Sequence, residues 1–160
     1  MISCQFENGS KANLRHVTVN AIIIKDGKVL LGKRGTFKGK PILESGKWAL
    51  IGGFFDRDEN LTQAVKREVR EETGWEIDNL QLLRINDSPK RPMEDRQNVD
   101  MIFLAEAVKQ NKIESEEVKE LEWFNLNNLP VKEQIAFDHG EDIELYKKYL
   151  QEKFPIPVLG

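Results

Sequence analysis

Cysteine is almost absent: Cys4 stands alone among 160 residues. One thiol cannot build a disulfide framework or a cysteine-based zinc site within a chain, and such sparing use suits a reducing cytoplasm. Long apolar runs are missing too. The mid-chain run at residues 101–105 falls far short of a membrane span. The opening segment, MISCQFENGSKANLRH, has no apolar h-region, so no secretory signal is expected. An excess of positive charge is also lacking: 24 Lys and Arg face 27 Asp and Glu, a net charge of −3. That balance argues against bulk nucleic acid or an anionic membrane as partner. What is present suffices for a core. Apolar residues make up 39% and charged residues 32%, with a mean hydropathy of −0.52. The chain is expected to be soluble and folded, as one domain over residues 1–160 with a polar lead-in at 1–15.

No internal repeat appears. Residues 17–24 (VTVNAIII) read as a buried strand, and Asp26-Gly27 followed by 29–31 signals a hairpin. Residues 35–47 read as a long surface loop. A short strand at 48–51 ends at Gly52-Gly53. A helix is predicted over 61–73, opened by an Asn60–Gln63 capping box and closed by Gly74. Strands follow at 80–85, 99–108 and 121–124, with a polar loop at 86–97. Helical pieces are expected near 132–137 and 141–153, and PIPVLG cannot continue a helix. Interleaved strands and helices indicate a mixed α/β (α+β) fold.

The helix at 61–73 carries the chemistry. At 100° per residue, Leu61, Ala64, Val65 and Val69 form an apolar stripe, while Gln63, Lys66 and Arg70 lie opposite. Glu68, Glu71 and Glu72 fall within or beside the stripe rather than on the solvent side. Like charges at i, i+4 repel, carboxylates near a helix C-terminus oppose its dipole, and partial burial adds desolvation. Divalent cations offset all three penalties. Oxygen donors without histidine suit Mg²⁺ or Mn²⁺, ions commonly shared with substrate phosphates. The bland alternative is a solvated glutamate-rich face.

The surrounding residues decide between them. Gly53, Glu59, Arg67, Glu68, Val69, Glu71, Glu72, Gly74 and Trp75 fill every defined position of a pattern that resembles a complete Nudix box. Looser similarity runs from about Val17 to Leu150. The resemblance implies a Nudix hydrolase: a mixed β-sheet sandwiched between α-helices, with the box as loop–helix–loop. It implies Mg²⁺- or Mn²⁺-dependent cleavage of the pyrophosphate bond in a nucleoside diphosphate linked to another moiety. It also implies a small nucleotide as partner, and it allows a homodimer.

By the same resemblance, Glu68, Glu71 and Glu72 look like metal ligands, with a main-chain carbonyl of Gly52 or Gly53 adding an oxygen. Arg67 falls on the arginine that orients a carboxylate. Glu59 matches the first box glutamate, as an outer ligand or as first-turn charge on the helix dipole. The general base is either a box glutamate or a later one, for which Glu116 and Glu117 are the candidates. The chain departs from the common form at Ile51, where many members have proline, and in Asp56-Arg57-Asp58-Glu59, which lacks a usual glycine.

Substrate choice lies outside the box. Pro89, fifteen residues after Gly74, resembles a marker of the ADP-ribose-cleaving branch, and Lys90, Arg91 and Pro92 add charge and stiffness to that loop. The sequence SQPWPFPxS of NADH-cleaving relatives is absent. Arg34 is placed to meet a phosphate, and Phe37, Phe54 or Phe55 to stack on a base or ribose. An ADP-ribose or nucleotide-sugar pyrophosphatase is the first expectation. The alternatives are a nucleoside triphosphate pyrophosphatase and a non-catalytic nucleotide sensor. Charge distribution sharpens the reading: residues 25–47 hold seven bases against two acids, and residues 56–78 hold eight acids against four bases.

Overall fold

A computed structural model describes residues 2–91, 97–111 and 115–160. Pro92 of the expected substrate loop lies outside them. The strands are β1 (Ile2–Gln5), β2 (Lys11–Leu14), β3 (Val17–Lys25), β4 (Lys28–Arg34), β5 (Thr36–Phe37), β6 (Lys40–Pro41), β7 (Trp48–Ala49) and β8 (Ile51–Phe54). Helix α1 (Leu61–Thr73) follows, then β9 (Trp75–Asn86), β10 (Val99–Gln110), β11 (Val118–Asn125), helix α2 (His139–Glu152) and β12 (Val158–Leu159).

The main sheet runs β11–β4–β3–β10–β9–β12, with β7 paired to β4 and β8 to β3. Strands β3 and β10 are parallel, β9 and β12 are parallel, and the other pairs are antiparallel. Period-two alternation along β3 divides the core. Val19, Ala21 and Ile23 face a cluster containing Ala64, Val65 and Val69 of α1. Ile22 faces the opposite cluster, with Ile143 and Tyr146 of α2. The sheet is therefore sandwiched between the two helices, as the resemblance implies. The pairing of β3 with β8 sets Asn20 beside Gly52 and Val19 beside Gly53. The parallel register sets Asp100 beside Thr18. These pairings assemble the site.

Three stretches carry more regular structure than the sequence suggests. Within the polar lead-in, β1 and β2 form an antiparallel hairpin of their own. Its turn chemistry is Asn8-Gly9, with Gly9 at φ 83°. The loop at 35–47 contains a small hairpin, β5–β6, turning at Lys38 and Gly39 with φ 50° and 72°. The terminal PIPVLG does leave the helix, but Val158 and Leu159 then pair with Arg84 and Ile85 as an edge strand. No helix among the described residues is long and apolar enough to cross a membrane.

Candidate active site

Helix α1 begins as its sequence dictates. The Asn60 side chain accepts from the Gln63 N–H at 3.0 Å, and the Gln63 side chain accepts from the Asn60 N–H at 2.8 Å. It ends at Gly74, left-handed at φ 71°. Between these caps lies Arg67, whose five N–H groups are all engaged. Nε and Nη2 grip both oxygens of Glu59 at 3.0 and 2.6 Å, and Nη2 also donates to the Phe54 carbonyl at 3.0 Å. Nη1 donates to Glu68 at 2.8 Å and to Glu71 at 3.2 Å. The Arg67 bonds hold the Glu59 carboxyl below the usual carboxylate range. A lysine offers no such fork.

The glutamates separate by burial. The Glu71 side chain is 55% exposed and Glu68 only 14%. Burial pushes the Glu68 carboxyl up, against the Arg67 bond that lowers it. Glu72 is pushed further, to about 8, by burial first and by the Glu68 charge second. A backbone N–H at Gly52 donates to it at 3.3 Å. Two glycines make this packing possible. A Cβ at Gly53 would lie 2.6 Å from Glu68 Oε1, and one at Gly52 would lie 2.0 Å from the Val19 carbonyl oxygen. Any side chain at 53 would evict the carboxylate.

A cavity of about 630 Å³ opens here. One wall carries Glu68, Glu72, Gly52, Gly53 and, from the turn before β11, Glu117. Glu117 is close enough to raise both Glu68 and Glu72. Arg34 borders the same space, with its Nε donating to the Leu43 carbonyl at 2.7 Å and its guanidinium 5.0 Å from the Phe137 ring. Phe37 and Phe54 stand at the opening, 51% and 44% exposed.

Several expected residues lie elsewhere. Glu59 and Glu71 are drawn to Arg67 rather than into the cavity. Glu116 is exposed and contributes a backbone carbonyl to Thr36. Pro89 and Lys90 are outside the lining, while Arg91 is in it. Among the described residues, no three His, Cys, Asp or Glu side chains already converge as a metal cage. Arg67 occupies one oxygen of Glu68 and one of Glu71. The donor chemistry still fits Mg²⁺ or Mn²⁺: buried carboxylates of Glu68 and Glu72, Glu117 nearby, and backbone oxygens at Gly52 and Gly53.

A second, polar stretch of the lining adjoins that wall, and of its residues only Arg91 was expected from sequence. Thr18, Asn20, Arg91, Asn98, Asp100 and His139 form it, each at 9% exposure or less. Arg91 donates from Nε and Nη2 to Asp138 at 2.8 and 2.6 Å, and from Nη2 to Asp100 at 3.2 Å. Asn20 Nδ2 donates to both Asp100 oxygens at 2.8 and 2.9 Å. Burial pushes Asp138 up, but the Arg91 bonds outweigh it and leave the group low. A usable signal was present. Asn20 interrupts the apolar strand 17–24, and Asp100 sits at a strand start beside Val99 and Met101.

Comparison with known proteins agrees with this architecture. The family model for the NUDIX domain matches residues 14–146. An ADP-ribose pyrophosphatase of Methanocaldococcus jannaschii is 37% identical over 133 residues, covering 83% of this chain and 73% of that protein. The crystal structure of a UDP-X diphosphatase superposes with a TM-score of 0.77 at 24% identity, over 96% of this chain and 71% of that one, a likeness of fold. The NUDIX domain of Shewanella oneidensis NrtR, solved in complex with ADP ribose, has a TM-score of 0.66 and 28% identity, covering 86% of this chain and 89% of that one. With a full box spanning α1, Glu68 and Glu72 of it lining a cavity and a family match across most of its length, the chain belongs to the NUDIX domain family as a Nudix hydrolase.

Proposed function

We propose that the protein is a divalent-metal-dependent pyrophosphohydrolase of a nucleoside diphosphate linked to another moiety, with ADP-ribose or a nucleotide sugar as first candidate. The observation that carries this reading is that Glu68, Glu72 and Glu117 line one cavity together with Arg34. The similarity to an ADP-ribose pyrophosphatase supports the substrate class.

In this reading, Glu68 and Glu72 would hold the metal with the Gly52 or Gly53 carbonyl, and Glu71 would join from the rim. Bound Mg²⁺ or Mn²⁺ supplies charge neutralisation at the phosphates and activation of water. Arg67 fixes the Glu68 carboxylate and ties it to the helix start through Glu59. Glu117 takes the proton of the attacking water, being the late glutamate that borders the cavity, whereas Glu116 points away from this role. The water oxygen bonds to one phosphorus as the bridging P–O bond breaks, releasing a nucleoside monophosphate and a phosphate ester. Arg34 meets the departing phosphate, and Phe54 stacks on a ring at the opening. Arg91, which lines the cavity, contributes to substrate binding through the carboxylates it holds. Pro89 and Lys90 shape the loop from outside the cavity. The single Cys4 and the charge balance favour a cytoplasmic protein.

The test is a substrate panel of ADP-ribose, nucleotide sugars, NADH, dinucleoside polyphosphates and triphosphates, each with Mg²⁺ and Mn²⁺. The expected result is metal-dependent release of AMP from ADP-ribose, abolished by a chelator. Turnover of triphosphates alone would move the protein to the other branch. Ligand binding with no turnover of any compound would make it a sensor.

A further inference from the structure

The segment that joins β11 to α2 holds a residue in an unfavourable conformation. Among the described residues, seven that are not glycine take a positive φ, and Phe137 at 54° is the only aromatic one. Such backbone is costly for a bulky side chain. Its neighbours impose it. On one side, the Ala136 N–H donates to the Trp48 carbonyl at 2.7 Å, and Ile135 bridges to Trp48. On the other, His139 Nδ1 accepts the Leu50 N–H at 3.0 Å. Both anchors lie on the short stretch 48–50, so the chain turns between them. The His139 N–H closes that turn on the Ala136 carbonyl at 3.3 Å. Glycine or asparagine is the usual choice for a positive φ inside a tight turn.

A phenylalanine there needs a reason, and core packing is not it. Phe137 is half-buried and borders both the site cavity and a neighbouring one of about 330 Å³. Its ring has a different task. The Arg34 guanidinium lies over its face, 5.0 Å from the centroid, and the His139 ring meets it edge-on at 5.3 Å. An aromatic face attracts a cation, and Arg34 gains from being held. It ends strand β4 on a long side chain with much rotamer freedom to lose. The Leu43 carbonyl accepts from its Nε at 2.7 Å, and Phe137 takes its face. Neither of these two contacts uses an Nη group. We propose that Phe137 is a positioning residue: it occupies an unfavourable backbone so that its ring braces the Arg34 guanidinium in the orientation that meets a phosphate. It acts through Arg34 and touches no reacting atom. The proposal rests on Arg34 meeting a phosphate in the hydrolysis proposed above.

The experiment is a double-mutant cycle on kcat/KM with Mg²⁺, using the compound of the substrate panel that wild type turns over fastest. The proteins are wild type, Phe137→Leu, Phe137→Tyr, Arg34→Met and the double variant Arg34→Met with Phe137→Leu. Arg34→Met should lower kcat/KM on the order of 100-fold. Phe137→Leu should lower it about tenfold, while Phe137→Tyr, which keeps the ring face, stays within about threefold of wild type. In the Arg34→Met background, Phe137→Leu should change it by less than about twofold. A merely structural Phe137 would lose as much in either background, and that result overturns the proposal. Wild-type kcat/KM in Phe137→Leu or in Arg34→Met overturns it too, as does a loss in Phe137→Tyr equal to that in Phe137→Leu. Should Phe137→Leu not fold, Phe137→Gly takes its place in both backgrounds, since it removes the ring and suits the positive φ. If no compound is turned over, the catalytic reading has failed on its own. The cycle is then read by the same criteria on the Kd for ADP-ribose, measured by calorimetry with Mg²⁺, and absence of binding as well overturns the proposal.

Discussion

Glu72 is the residue whose environment is hardest to justify on stability alone. Its carboxyl is buried beside Glu68 and pushed up to about 8. In the proposed role it is a metal ligand, so Glu72→Gln should lower kcat on the order of 100-fold at saturating Mg²⁺. The same change removes a buried like-charge contact, so Tm of the metal-free protein should hold or rise. Wild-type kcat in this variant would sink the assignment. Arg67 makes a companion case. Arg67→Lys keeps the charge but loses the fork to Glu59 and the shared Nη1 contact to Glu68 and Glu71. A rise of about tenfold in the Mg²⁺ concentration for half-maximal rate is expected, from lost orientation of a ligand. An unchanged metal dependence would show that Arg67 is only a surface brace.

At the scale of elements, the junction of β8 with α1 sets the geometry. Gly53 lets the Glu68 carboxylate lie against the backbone, and a Cβ there would sit 2.6 Å from Glu68 Oε1. Because that neighbour is the end of a side chain, it can move. Gly53→Ala should therefore fold, with activity reduced on the order of tenfold or more and Tm altered little. At Gly52 the obstacle is the Val19 carbonyl at 2.0 Å, main chain that cannot yield without breaking the β3–β8 pairing. Gly52→Ala should cost stability, by about 2–4 kcal/mol in chemical denaturation. Equal effects of the two substitutions would refute this distinction between a yielding side chain and a fixed strand.

Across the whole molecule, buried carboxylates connect stability to pH. Asp142 on α2 is buried, with Arg84 donating to Oδ1 at 2.8 Å and Oδ2 left without a partner among the described residues. Burial first, and the Asp100 charge second, push its carboxyl up to about 7. A folded pKa above the unfolded value of 3.8 gives stability that is fully present below 3.8 and is lost as pH rises through 7. Asp142→Asn mimics the protonated form. Its stability should match wild type near pH 4 and exceed it by a few kcal/mol at most near pH 8, at about 1.4 kcal/mol per pKa unit. A gap that is constant with pH would reject the explanation.

Much of this protein was legible before any coordinates. Helix α1 and both its caps follow from local chemistry, because Asn60, Gln63 and Gly74 act within one turn of chain. The box glutamates are legible for the same reason, since an i, i+4 spacing places side chains without reference to the rest of the fold. The near-continuous apolar run of β3 foretold a buried strand. The N-terminal hairpin was less visible, as Asn8-Gly9 lies in a polar stretch with little apolar alternation to confirm it.

What the sequence determined by itself was the family and the acidic end of the site, both carried by short-range spacing. What only the tertiary structure decided was which glutamates meet, and what stands beside them. Glu71 and Glu72 are adjacent in the chain, yet packing buries one and leaves the other at the surface. Asn20, Arg91, Asp100 and Asp138 are scattered over more than a hundred residues. They become one wall because β3 and β10 pair in parallel and α2 starts beside them. Contacts of that separation depend on strand register and helix packing, which no local pattern of residues records.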